Sequence, residues 1–218
     1  PGKQYAFVGQ NGCGKSTVIK LLTGLYNDYS GRILLNGRDI RSLSAAEIKA
    51  YFAVVYQDYG KYQLPVREQL QLGNADLADP EIAALLEQTG LAQKVGSLPL
   101  GADTPLGKLE PGSADLSEGQ WQRLTLARSF GKQAKLLVLD EPAAALDALA
   151  ESRIYRIIRD IGAGRCTTTL YVTHRLAAAR SADEIIVMKD GQIIEQGTHA
   201  ALLAGDSYYA QMFNTQRK

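Results

Sequence analysis

Cysteine is scarce in this chain. Cys13 and Cys166 are the two present in 218 residues, too few for a disulfide framework and in keeping with a reducing compartment. An excess of either charge is also missing. Lys and Arg total 24 against 23 for Asp and Glu, a net of +1, so there is no basic excess of the kind that wraps nucleic acid. No apolar run approaches the roughly 20 residues needed to cross a bilayer. Internal repeats, low-complexity tracts and long linkers are absent as well. What is left is a chain long enough to bury a substantial core as one domain with room for a subdomain.

Strand and helix patterns alternate along it, the mark of a mostly parallel sheet with helices on its faces. Strands are expected at Tyr5 to Val8, Ala53 to Tyr56, Leu136 to Leu139, Thr168 to Val172 and Glu184 to Met188, and helices at Lys15 to Leu25, Ala148 to Ile161 and Ser207 to Asn214. Gly31 to Gly37 alternates and ends in Asn36-Gly37, a hairpin signal that adds an antiparallel β part. From about Val66 to Phe130 the texture is helical, as in Pro80 to Thr89 with Ile82, Leu85 and Leu86 at helical spacing. The expected organisation is therefore a single domain over 1–218, its core in about 1–65 and 131–218 and an inserted helical subdomain in about 66–130. Pro1-Gly2-Lys3-Gln4 does not read as a natural start, and Tyr5 already begins a strand. Further N-terminal strands are expected upstream.

The first chemical string follows that strand. Gly9-Gln10-Asn11-Gly12-Cys13-Gly14-Lys15-Ser16-Thr17 holds every fixed position of a phosphate-binding loop at a strand-to-helix junction. Its glycines let the backbone curl so that successive N–H groups point inward, and the next helix turns its positive end to the same place. Lys15 would reach the β- and γ-phosphates as a point charge, Ser16 would ligate Mg²⁺ and Thr17 would add a hydroxyl near the α-phosphate. Later, four apolar residues carry Asp140 to the carboxyl edge of a buried strand, where open α/β sheets place their ligands. Asp140 would hold the Mg²⁺ shell through water, and Glu141 would stand where a carboxylate can polarise an attacking water.

Between these strings lies Leu116-Ser117-Glu118-Gly119-Gln120, which runs into the helix-period segment Trp121 to Arg128. Ser117 with Gln120 also satisfies a capping box, so part of the string serves helix initiation. The whole set resembles the ATP-binding cassette family, with a RecA-like P-loop NTPase fold, almost from end to end. The resemblance implies ATP and Mg²⁺ as ligands. It implies Glu141 as catalytic base, His174 as the histidine that contacts the γ-phosphate and orients Glu141, and Gln57 as a contact of Mg²⁺ and water. It further implies that Leu116 to Gln120 binds the phosphate held by a second cassette, with Ser117 and Gly119 as contacts and Asp147 in the loop linking the two sites. His199 is assigned no chemistry.

By the same resemblance two cassettes pair head to tail around two ATP molecules, as homodimer or heterodimer, and hydrolysis separates them. The segment Tyr59 to Pro65 would receive a helix of a transmembrane domain fused upstream, which places the chain at the cytoplasmic face of the cell membrane. The stretch Thr198 to Leu203 followed by Tyr208-Tyr209-Ala210 is similar to the end of exporter-type cassettes. Three positions depart from the family pattern. Glu118 replaces a glycine, and Ala143 and Ala144 stand where Ser or Thr is usual, which bears on the rate of hydrolysis. Two other readings share the motifs. A DNA-repair or chromosome-maintenance ATPase would set long coiled-coil arms between the phosphate loop and the signature, whereas Val18 to Asp115 is short and lacks sustained heptads. A non-hydrolysing regulatory nucleotide sensor would be excluded by measurable turnover that disappears in Glu141→Gln. No nucleic-acid partner is expected.

Overall fold

A computed structural model describes residues 2–107, 112–143, 146–165 and 167–216, so Ala144 and Cys166 lie outside the described residues. The chain divides into two compact units. The first comprises residues 1–54, 134–141 and 165–218, and the second 55–133 and 142–164.

The first unit is built on a six-stranded sheet. Its strands are β1 (Gln4–Val8), β4 (Phe52–Val55), β5 (Leu136–Asp140), β6 (Thr168–Val172), β7 (Glu184–Lys189) and β8 (Gln192–Gly197), in the order β4-β5-β6-β1-β7-β8. β5, β6, β1 and β7 are mutually parallel and β8 runs antiparallel on the β7 edge. β1 is central and nearly all buried, with Ala6, Phe7 and Val8 at 3% exposure or less. Register decides what emerges together. Asp140 pairs with Val172 and Val172 with Phe7, so β5, β6 and β1 end level at one edge. Whatever follows these three strands meets there.

Local chemistry shapes the rest. The helix after β1, α1, runs Lys15–Leu22, three residues shorter than its apolar pattern predicts. The Thr23 hydroxyl turns back to the Ile19 carbonyl at 2.8 Å, and Gly24 takes a left-handed φ of 71° that stops the helix. Asn36 and Gly37, at φ 51° and 81°, make the turn between β2 (Leu34–Leu35) and β3 (Arg38–Asp39), the expected hairpin. Helix α2 (Ala45–Tyr51) is added to the sequence reading. Ser44 and Glu47 cap it reciprocally, with Glu47 N–H donating to the Ser44 hydroxyl at 3.2 Å and Ser44 N–H to the Glu47 carboxylate at 2.8 Å. Helices α8 (Leu176–Ala179), α9 (His199–Leu203) and α10 (Tyr208–Gln216) complete the unit. His199 packs against Tyr209 and Phe213 and shares a 2.9 Å hydrogen bond with the Tyr209 hydroxyl, a structural role.

The second unit is helical: α3 (Val66–Gln71), α4 (Asp79–Gln88), α5 (Ala92–Gly96), α6 (Glu118–Gly131) and α7 (Ala148–Arg165). α3 and α4 both pack on α6. Leu70, Leu85, Leu91, Leu106 and Leu124 are at 2% exposure or less and form its core. A mostly parallel sheet with an antiparallel margin and an inserted helical part is thus the architecture observed, as the alternating pattern predicts.

Candidate functional site

The phosphate-loop string turns directly off β1. Gly9 is required by packing: a Cβ there would lie 2.3 Å from the Met188 carbonyl oxygen and 2.8 Å from the Cys13 sulfur. Gly14 caps α1 with φ 102°, a conformation open to glycine and costly for other residues. The loop is backed by the β7–β8 turn, where Gly191 N–H donates to the Cys13 carbonyl at 3.2 Å. Lys15 is buried, and its ammonium donates to the Gly9 carbonyl at 2.9 Å and the Gln10 carbonyl at 2.8 Å, with the Cys13 sulfur 3.7 Å away. Loop and helix together form an anion cradle with the cation already inside it. Gln10, Asn11 and Gly12 line the open side, with Ser16 and Thr17 exposed on the first turn of α1.

Asp140 ends β5 at the same edge and is 7% exposed. Burial pushes its carboxyl above the usual carboxylate range and the neighbouring Glu141 charge adds to this, while the Ser16 hydroxyl, Lys15 and Lys20 oppose it. One carboxylate oxygen, Oδ1, is buried without a protein partner. An orphaned anionic oxygen beside a serine hydroxyl suits a small divalent cation that keeps most of its waters. Among the described residues no group of three or more His, Cys, Asp or Glu side chains is placed to hold a metal ion.

Glu141 follows in a left-handed backbone conformation, φ 49°, rare for a residue of its kind. Its N–H donates to the Val172 carbonyl at 3.1 Å, which fixes the turn against β6. The carboxylate then lies 3.1 Å from His174 Nδ1, with Glu141 at 17% and His174 at 41% side-chain exposure. His174 is itself held from a distance. The carboxamide of Gln216, on α10, donates to the His174 carbonyl at 2.6 Å and accepts from Leu176 N–H at 2.9 Å. Residues 9–11, His174 and Gln216 border one cavity of about 530 Å³. Gln216 carries no motif, and nothing in its helix context singles it out.

The remaining predicted residues belong to the second unit. Gln57 is exposed on the segment after β4. Leu116 is buried, while Ser117 and Glu118 are exposed where α6 starts. Gln120 accepts from Ser117 N–H at 2.9 Å, the glutamine half of a capping box. Just before them Asp115 accepts from Leu116 N–H at 2.9 Å and from the Trp121 indole at 3.1 Å. Gly119 has space: a Cβ there would meet the Leu146 side chain at 3.4 Å and nothing nearer. Asp147 caps α7, accepting from the N–H groups of Leu149 and Ala150 at 2.9 Å each. The first unit therefore brings Lys15, Ser16, Asp140, Glu141 and His174 to one sheet edge. The second collects the signature string and the Leu146–Asp147 loop.

Residues 1–144 match the ABC transporter family. The chain belongs to that family. Over 217 residues this cassette is 37% identical to the mitochondrial iron-sulfur clusters transporter ATM1 of Kluyveromyces lactis, covering 99% of this chain and 30% of that protein. It is 35% identical over 218 residues to the nisin transport ATP-binding protein NisT of Lactococcus lactis, covering 99% of this chain and 36% of that one. Among solved structures, that of a bacterial Atm1-family ABC exporter with ATP bound superposes with a TM-score of 0.89 at 33% identity, over all of this chain and 37% of that one. The chain thus spans about a third of the length of these relatives. The cassette resembles those of exporter-type proteins closely, and its family membership supports ATP with Mg²⁺ as the ligands. Among the described residues no helix is long and apolar enough to cross a membrane.

Proposed function

We propose that this chain is the ATP-hydrolysing cassette of an exporter, working at the cytoplasmic face of the cell membrane with a second cassette and a transmembrane domain. The observation that carries the reading is the Glu141–His174 pair, a carboxylate 3.1 Å from an imidazole nitrogen at the carboxyl edge of the sheet. In this reading the N–H groups of the phosphate loop and the α1 terminus cradle the β- and γ-phosphates. Lys15 exchanges its loop carbonyls for phosphate oxygens. Ser16 and Asp140 would hold Mg²⁺, with Gln57 as a further contact, and the bound ion would neutralise charge on the phosphates. Glu141 accepts the proton of the water that attacks the γ-phosphorus as the bond to the β–γ bridging oxygen breaks and ADP leaves. His174 keeps the Glu141 carboxylate turned to that water. Ser117 and Gly119 of a second cassette close the site over the γ-phosphate, with the α6 dipole behind them.

Phosphate release with Mg²⁺ and ATP tests the enzyme half of this reading. Steady turnover is expected, with Glu141→Gln lowering it by roughly 10²–10⁴-fold, the usual contribution of a general base. ATP bound tightly without turnover in the unaltered chain would instead identify a sensor.

A further inference from the structure

Glu118 brings a negative charge into a loop assigned to phosphate contact, and the fold answers it with a specific arrangement. Both carboxylate oxygens are held. The Tyr59 hydroxyl donates to Oε1 at 2.7 Å, and the Lys61 ammonium donates to Oε2 at 2.5 Å. The same segment is fastened further along α6 by the Arg128 guanidinium, which lies over the Tyr62 ring at 5.4 Å, and on α3 by Gln69 Nε2, which donates to the Tyr62 carbonyl. All of these residues belong to the second unit. Lys61, and after it Tyr59, hold the Glu118 carboxyl below its ordinary range. Burial, followed by the hydrogen bond to Glu118, keeps the Tyr59 phenol protonated. The cluster is therefore an ionised carboxylate, one ammonium and one neutral phenol, and its charges cancel.

We propose that Lys61 is a positioning residue that balances the charge Glu118 brings into the signature loop. Gripped by Tyr59 and Lys61, Glu118 pins residues 59–62 to the first turn of α6. Its charge is neutralised there, so the loop can still face an anionic phosphate. Glycine at this position needs no such partner. A glutamate does, because a like charge several ångströms from a phosphate opposes binding. A glutamate that only favours the α6 terminus through the helix dipole would affect stability and leave nucleotide-driven pairing unchanged. The inference rests on the composite-site reading above.

The test is a double-mutant cycle on ATP-driven dimerisation, followed by analytical ultracentrifugation of the full chain. Glu141→Gln serves as the non-hydrolysing parent, with ATP as the probe and its binding measured in parallel. Lys61→Met leaves the Glu118 charge unbalanced and should raise the ATP concentration for half-dimerisation by about two- to five-fold, the range of an exposed ion pair. Added salt should shrink that penalty. Glu118→Gln placed on Lys61→Met should bring the value back to the parent's, and Lys61→Arg should match the parent from the start. A parent that dimerises while Lys61→Met pairs equally well overturns the charge balance and leaves the composite site standing. The same holds if Glu118→Gln fails to restore Lys61→Met. A parent that binds ATP yet stays monomeric overturns the composite site and this inference together.

Discussion

A methyl group on Gly9 would lie 2.3 Å from the Met188 carbonyl oxygen, whereas one on Gly119 would meet only a leucine methyl at 3.4 Å. Gly9 opens the loop after β1 and Gly119 lies in the first turn of α6, and the fold demands the first and merely permits the second. The phosphate loop is overdetermined from several sides. β7 presses on Gly9, Gly191 holds the Cys13 carbonyl, and Lys15 is buried among loop carbonyls. Chemistry and scaffold use the same residues there. In the signature loop Ser117 and Glu118 are exposed, and Glu118 is tied by partners that are themselves near the surface. A Cβ on its glycine would make no contact closer than the Leu146 side chain at 3.4 Å. In the proposed mechanism the first loop holds a ligand by itself and the second meets a ligand that another molecule holds.

The sharpest way to break this contrast is to add the same methyl group to both loops. Gly9→Ala forces β1 and β7 apart at a backbone contact, an overpacking cost of about 3 kcal/mol. For a domain of this size that is a drop of roughly 6–12 °C in Tm, with ATP binding lost as well. Gly119→Ala should do the reverse. Alanine is the better helix former by about 1 kcal/mol, so Tm should hold or rise by a few degrees. Hydrolysis should nevertheless fall by about 10²-fold, the cost of displacing a reacting group by about an ångström. Calorimetry and phosphate release on the same two proteins check both halves. A Gly119→Ala protein that melts early would erase the distinction between the loops.

The smallest expected effect sharpens the first loop alone. Burial raises the Asp140 carboxyl above its unfolded value of 3.8, so its ionised form costs stability at neutral pH. That cost fades as pH falls through the raised value and the group protonates. Asp140→Asn should therefore melt slightly higher than the parent at neutral pH, with the advantage shrinking in acid, while Mg²⁺-dependent ATP binding weakens. Thermal melts across the pH range, with and without the ion, measure this. A variant less stable than its parent at neutral pH would mean that the Asp140 charge is already well compensated by the protein.

How much of this was legible in the sequence follows the same division. Residues whose role depends on neighbours in the chain could be read directly. The apolar run Leu136 to Leu139 announces a buried strand with Asp140 at its end, and the glycine spacing of residues 9–14 announces the loop. β8 escaped notice because its apolar pair, Ile193 and Ile194, is exposed at 60% and 42% and gives no buried alternation. The signal available was Asp190-Gly191, whose left-handed φ values of 48° and 81° make the two-residue turn. α2 likewise carried its capping box, Ser44 and Glu47, in plain view. Contacts between distant segments left no trace. Gln216 reaches His174 across 42 positions, and Lys61 reaches Glu118 across 57. Each is an ordinary polar residue until folding supplies its partner.

In the proposed mechanism the signature loop completes a site on another molecule. Sedimentation velocity of Glu141→Gln with ATP and Mg²⁺, beside the same protein carrying Gly119→Ala, tests it most directly. An ATP-dependent dimer is expected for Glu141→Gln, and a monomer of equal or slightly higher Tm and equal ATP binding once Gly119→Ala is added. Dimers of equal affinity in both proteins would contradict it.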